Sequence, residues 1–222
     1  MGTDNLFHKR KARRAEEHRR MLARRSPYER VLIVCEGAKT EPSYFSALRT
    51  ALRLNRENVV ITDKKGGLDP KSLVKYAIEA YAKEPDFDAI YCVFDRDKHV
   101  TYDAALDKVR STRLKRGATL HAVPSIPCFE IWLLLHFTYT TRPYEAALDE
   151  SNCALVVADL RRYIPEYDKG SRDFMAYLEG KVDNAIAGAK QLEQFHETSG
   201  TDNPSTKIHI LVEYLQELGK LR

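Results

Sequence analysis

Arg30-Val-Leu-Ile-Val-Cys35 is a continuous apolar run, and its reading decides the fold. A half-exposed strand alternates polar and apolar residues, whereas an unbroken run rich in β-branched side chains predicts a strand buried on both faces, as in a parallel sheet. Glu36-Gly37 breaks the run. Thr40-Glu41-Pro42 then offers a cap candidate, an acid and a proline for the first turn of a helix over residues 40–54, with Tyr44, Leu48 and Leu52 along one face.

The same alternation repeats downstream. Asn58-Val-Val-Ile-Thr62 reads as a second strand, Gly66-Gly67 as a loop, and Asp69-Pro70 as the capped start of a helix reaching residue 83. Asp88-Ala-Ile-Tyr-Cys-Val-Phe94 is a third buried strand, ended by Asp95-Arg96-Asp97. A helix over residues 102–115 and a fourth strand, Ala118-Thr-Leu-His-Ala-Val123, follow. Strands and helices in this order predict an α/β fold, a parallel sheet of about four strands with helices on both faces. Beyond Pro127 no further strand is expected. Residues 130–137, 146–160, 172–194 and 206–218 carry helical patterns, broken at Pro143, Pro165, Gly170 and Pro204. The expected organisation is a basic arm over residues 1–27, an α/β core over 28–140 and a helical region over 141–222 packed on that core.

The chain has 222 residues, of which 43% are apolar and 31% charged, values that argue against wholesale disorder, a collagenous fibre or a coiled-coil rod. Its longest apolar run, residues 129–137, is interrupted by Glu130 and His136 and falls short of the roughly 18 residues a membrane span needs. The N-terminus shows no apolar block followed by a small-residue cleavage site, so a cytoplasmic location is expected. Cys35, Cys92, Cys128 and Cys153 show no CxxC spacing, which predicts free thiols and no zinc site. Walker, GxGxxG and GxSxG motifs are absent, leaving an intrinsic ATPase, a dinucleotide enzyme and a serine hydrolase without support.

Charge is unevenly spread. Residues 1–30 hold ten Lys/Arg against four acids, while the other 192 residues hold 26 bases and 28 acids. Lys9, Arg10, Lys11, Arg13, Arg14, Arg19, Arg20, Arg24 and Arg25 therefore form a basic arm on a nearly neutral body, the pattern of an accessory contact to nucleic acid. A solvated, frayed tail is the plainer account of the same residues.

In open parallel sheets the functional crevice lies at the carboxyl ends of the strands, where strand order reverses. Glu36 leaves the first strand there and Asp95-x-Asp97 the third. Residues i and i+2 of an extended segment point the same way, so Asp95 and Asp97 can share a site. Three crowded carboxylates raise one another's pKa unless a cation sits among them, and oxygen ligands suit Mg²⁺ (or Mn²⁺). The bland account is that acids follow buried strands because turns are polar. Glu130, inside the most apolar stretch, is either a first-turn acid favoured by the helix dipole or a fourth site carboxylate. Lys39 and Lys169 are candidates to hold a phosphate, although Lys39 and Glu41 also read as a solvated first-turn pair. Ser125 could line the same cleft. His136 reads as a satisfied core histidine, and Ser205 as the cap of the last helix.

These residues resemble a family. Leu32-Ile-Val-Cys-Glu-Gly37 followed by Val93-Phe-Asp-Arg-Asp97 is similar to the TOPRIM catalytic domain of topoisomerases, primases and certain nucleases, a Rossmann-like fold. Cys35-Glu-Gly-Ala-Lys-Thr-Glu-Pro-Ser-Tyr-Phe45, Phe94-Asp-Arg-Asp97, Ser125-Ile-Pro-Cys-Phe-Glu-Ile-Trp-Leu-Leu-Leu-His-Phe137 and Asn203-Pro-Ser-Thr206 look like the RloB-like family, of which AbiLii is a relative, over about residues 30–215. The resemblance implies a TOPRIM-like core with its acids on Glu36, Asp95 and Asp97. It also implies a nuclease role in antiphage defence or abortive infection, and a companion ATPase of AAA or ABC type. DNA and RNA both remain open as substrate, as does a homo-oligomer. The alternative from another class is a non-catalytic nucleic-acid- or partner-binding subunit whose strand-end acids pair with Arg96.

Overall fold

The computed structural model describes residues 29–63, 67–147, 151–170 and 173–221. The nine arm residues from Lys9 to Arg25 lie outside these. The described chain opens on β1 (Val31–Cys35), α1 (Thr40–Ala51), β2 (Val59–Asp63), α2 (Pro70–Lys83), β3 (Ala89–Asp95), α3 (Tyr102–Ser111) and β4 (Thr119–Ile126). It continues through α4 (Glu130–Leu135), α5 (Asn152–Leu160), α6 (Met175–Leu178), α7 (Val182–Ser199), β5 (Ser205–Thr206) and α8 (Ile208–Lys220).

The strands lie in the order β2-β1-β3-β4-β5, all parallel except β5, which runs antiparallel to β4. Alternation along the buried strands sorts side chains onto two faces. Val31, Ile33, Tyr91 and Val93 pack with Tyr44 and Phe45 of α1 and with α4, α5, α7 and α8. Leu32, Val34, Ile90, Cys92 and Phe94 pack with Leu73, Val74 and Ala77 of α2 and with Tyr102 and Ala105 of α3. Each fully buried aliphatic side chain contributes about 1.5–3 kcal/mol, which makes the central strands the stable floor of the molecule. The sheet is therefore covered on both sides, as the apolar runs require, and the helices after Pro127 bury into the same core as β1 and β3.

Local chemistry follows sequence where a cap or a break is strong. Asp69 caps α2, its Oδ1 accepting from the backbone N–H of Lys71 and Ser72 at 3.1 and 3.3 Å. Four expectations need correction. A fifth strand exists, but Ser205–Thr206 is too short to carry a pattern and forms only by pairing with Ser125 and Ile126. The last helix starts after it, and Thr206 Oγ1 rather than Ser205 accepts from the Ile208 N–H, at 3.3 Å. The helix expected over residues 172–194 is two helices, separated at Gly180 with φ +71°. Finally, Cys128 and Cys153 form a disulfide whose Cα atoms are 5.7 Å apart, leaving Cys35 and Cys92 as buried free cysteines. No helix of the described residues is long and apolar enough to cross a membrane.

Candidate active site

Strand order reverses between β1 and β3, since β1 connects outward to β2 on one side and β3 to β4 on the other. The loops leaving these two strands consequently diverge and open a crevice. A cavity of about 340 Å³ lies there, lined by Glu36, Lys39, Glu41, Asp95, Glu130 and Lys169 among others. Five of the six candidate site residues, Glu36, Lys39, Asp95, Glu130 and Lys169, thus share one cavity. Asp97 is the exception.

Strand parity explains how the acids are aimed. Asp95 continues the phase of Tyr91 and Val93, so it faces the side of α1 and α4, where Glu41 and Glu130 stand. Glu36 continues the phase of Leu32 and Val34 and turns back, so that its Oε2 accepts from the Asp95 N–H at 3.0 Å. Its Oε1 is 2.9 Å from His99 Nε2. Asp97 does not follow Asp95 into the cavity because the extended backbone ends at Asp95 and Asp97 adopts φ +32°. Its amide donates to Pro127 O at 3.0 Å, and its Oδ1 is buried without a hydrogen-bond partner. Asp97 nevertheless lies close enough for its charge to help raise the Glu36 pKa, after the larger effect of burial.

Glu41 is the acid whose site role the sequence conceals. It is 7% exposed, not solvated, and its Oε1 accepts from the Gly37 N–H at 3.2 Å. A side-chain carbon on Gly37 would stand 2.2 Å from Glu41 Oε2, so glycine is needed for the carboxylate to fold back onto the chain. Gly37→Ala is expected to displace Glu41, to lower stability by about 0.5–1.5 kcal/mol through the lost hydrogen bond at a pH where the carboxyl keeps its proton, and to weaken Mn²⁺ binding. Thermal melting and a Mn²⁺ titration of the variant check this, and unchanged values in both would show that Glu41 is free to move.

Glu130 opens α4, a helix whose other residues are all apolar and buried, and is itself 2% exposed. Its Oε1 accepts from Tyr167 Oη at 3.0 Å and from Lys169 Nζ at 3.2 Å. Lys169 Nζ also donates to Cys153 Sγ at 3.1 Å, and Cys153 Sγ is 3.2 Å from Glu130 Oε2. The lysine is brought to the crevice by Thr40, whose hydroxyl donates to Lys169 O at 3.0 Å and ties the start of α1 to the segment before Gly170. Tyr167 belongs to the Tyr167-Asp-Lys-Gly170 block and is a site residue that the sequence alone does not single out. Ser125 is instead buried in the sheet, its Oγ 2.9 Å from Thr206 Oγ1. His136 packs on Trp132 and Tyr44 with Nδ1 2.9 Å from Trp132 O, a core histidine held neutral by burial at a pKa of about 4.

The electrostatics of the crevice are those of uncompensated acid. Burial, then the charges of Glu41, Glu130 and Glu36, push Asp95 well above the usual carboxylate range. Burial and then Glu130 raise Glu41 to about 7. Burial works against the Lys169 ammonium, but Glu130, Asp95 and Glu41 outweigh it and raise its pKa, so it remains charged. Arg96 offers the acids no relief: its guanidinium is held by both carboxylate oxygens of Asp202 at 2.7 and 2.6 Å. The reading in which Arg96 neutralises its neighbouring acids therefore fails.

A divalent cation fits this donor set. The acids that line the cavity offer hard oxygens, and among the described residues two lysines, Lys39 and Lys169, face four acids there. Glu36, Asp95 and Asp97 do not by themselves close to ligand spacing. Among the described residues, the trio whose donor atoms all lie within 4.8 Å is Cys128, Glu130 and Cys153, whose two sulfurs are joined in the disulfide.

Fold and crevice together define a doubly wound α/β protein with a buried cluster of carboxylates at its topological switch point. The family model described as RloB-like protein matches residues 31–215, and the chain belongs to the RloB-like family. No curated protein and no solved structure matches the chain.

Proposed function

We propose that the protein is a TOPRIM-like, divalent-metal-dependent nuclease that cleaves nucleic-acid phosphodiester bonds in antiphage defence, working with a companion AAA- or ABC-type ATPase. One observation carries the chemistry: Glu36, Glu41, Asp95 and Glu130 line a single cavity at the reversal of the sheet, with Lys39 and Lys169 as the cations along its wall among the described residues. The defence setting and the ATPase rest on the family resemblance alone.

Glu36 and Asp95 would hold Mg²⁺ or Mn²⁺, with Asp97 beside Glu36 and Glu130 across the cavity. The ion, when bound, polarises the scissile phosphate and lowers the pKa of a coordinated water. Lys169 remains protonated and offsets charge developing on the phosphate, while Lys39, on the cavity wall, would hold the approaching backbone. Tyr167 holds Glu130 through its hydroxyl, and Thr40 holds the Lys169 backbone, so both polar groups are set before substrate arrives.

The test is incubation of the full chain with end-labelled single- and double-stranded DNA and RNA, with Mg²⁺, with Mn²⁺ and with a chelator. Cleavage of at least one polymer that the chelator abolishes is expected. Divalent-independent cleavage, or none with the ATPase and its nucleotide added, would overturn the reading.

The arm supplies affinity without sequence choice in this reading, because it offers many charges and almost no groups suited to base edges. Deleting residues 1–25 is expected to weaken nucleic-acid binding and flatten its dependence on salt. Arg30 is not part of that contact: its guanidinium is held by Glu84 and Asp86 at 2.9 and 3.0 Å. An unchanged slope of log K against log salt would show that the arm does not touch nucleic acid.

A further inference from the structure

Among the described residues, His99 is the imidazole that touches a crevice acid, and the turn that carries it is anchored on both sides. The Arg96 N–H donates to Ser125 O, the Asp97 N–H to Pro127 O and the His99 N–H to Arg96 O, all between 2.9 and 3.0 Å. The Arg96 side chain is clamped by Asp202, and Thr101 Oγ1 donates to Asp69 Oδ1 at 2.7 Å. His99 is thereby delivered with Nε2 2.9 Å from Glu36 Oε1, while the other oxygen of Glu36 is fixed on the Asp95 amide.

Two donor atoms in adjacent positions around an octahedral ion, each about 2.1 Å from it, stand about 3 Å apart. His99 Nε2 and Glu36 Oε1, which pair directly at 2.9 Å, already stand at that separation. Asp97, two residues before His99, lies near enough for its charge to act on Glu36, so the pair stands in an acidic surrounding. We propose that His99 is a metal ligand beside Glu36, which gives the site a nitrogen donor and a preference for a transition ion, Mn²⁺, over Mg²⁺. Mn²⁺ shares the oxygen ligands of Mg²⁺, but it opens the transition series along which affinity for a nitrogen donor rises, so an added imidazole favours Mn²⁺ over Mg²⁺. The inference rests on the metal reading of the crevice and deepens it.

The experiment uses the full chain with Mn²⁺ as the probe, followed by pulsed electron spin resonance and by competition with Mg²⁺. Nitrogen modulation from a directly bound imidazole is expected, and it should change when the protein is grown on ¹⁵N-histidine, which needs no substitution. His99→Gln should remove the modulation and lower Mn²⁺ affinity about tenfold or more, with Mg²⁺ affinity changed much less. Bound Mn²⁺ that depends on Asp95 but shows no nitrogen modulation would overturn the role of His99 and leave the metal site standing. Absence of Mn²⁺ binding, or binding indifferent to Asp95→Asn, would overturn both.

Discussion

Asp95→Asn is expected to reduce divalent-ion-dependent cleavage on the order of 10²–10³-fold and, in metal-free buffer, to raise the melting temperature. The two effects have one cause. Asp95 ends the central strand β3, where burial and the charges of Glu41, Glu130 and Glu36 all oppose its ionisation. An ionised carboxylate there is costly to the fold and useful only to a cation. The amide keeps the shape, removes the charge and so relieves the repulsion, at the expense of a ligand. Cleavage kinetics and melting should be measured on the same preparation. A variant that is inactive and also less stable would mark Asp95 as a structural group, and an active variant would remove it from the site.

Glu41→Gln should stabilise the metal-free protein by an amount that grows with pH. The folded carboxyl titrates at about 7 against an ordinary value of 4.5, raised first by burial and then by Glu130. Between those values the folded protein keeps a proton that the unfolded chain has released, so stability owed to this group falls as pH rises through the window. The fall amounts to roughly 3 kcal/mol and is complete above the folded value. The substituted amide has no proton to lose, and its oxygen can still accept from the Gly37 N–H. The difference between variant and wild type should accordingly be near zero at about pH 4.5 and roughly 3 kcal/mol at about pH 8. His136, pushed down to about 4 by burial, acts in the opposite sense, but it is common to both proteins and cancels in the comparison. Glu36 and Asp95 are raised as well and face Glu41 across the cavity, with Lys169 protonated throughout. Saturating Mn²⁺ should narrow the difference at the higher pH, because the ion stabilises only ionised acids. Denaturant titrations across this range measure it, and a pH-independent difference would show that Glu41 is not the group so strained.

Much of this site is legible in the sequence. Glu36 and Asp95 are identifiable because an apolar run that stops abruptly at a polar residue marks the carboxyl end of a buried strand, and parallel sheets place function there. Glu130 stands out as a charge in an apolar helix, which demands a partner or a cleft. Glu41 is visible but easily misjudged. Its position four residues after Gly37 allows a carboxylate to fold back on a glycine amide, yet the same letters also describe a solvated first turn. His99 carries no signal, since its distance from Glu36 in sequence says nothing about their meeting.

Sequence by itself determined the first four strands, their order of appearance, the capped start of α2 and the acids at strand ends, because burial patterns and caps are properties of a few neighbouring residues. Tertiary structure alone decided the rest. It paired Ser205–Thr206 with β4 and joined Cys128 to Cys153. It turned Asp97 away from Asp95 through a left-handed backbone angle and brought Lys169 to Glu130 by a hydrogen bond from Thr40 across 129 positions. Each of these depends on groups distant in the chain whose approach is fixed only when the two faces of the sheet are covered, so no local pattern could encode it.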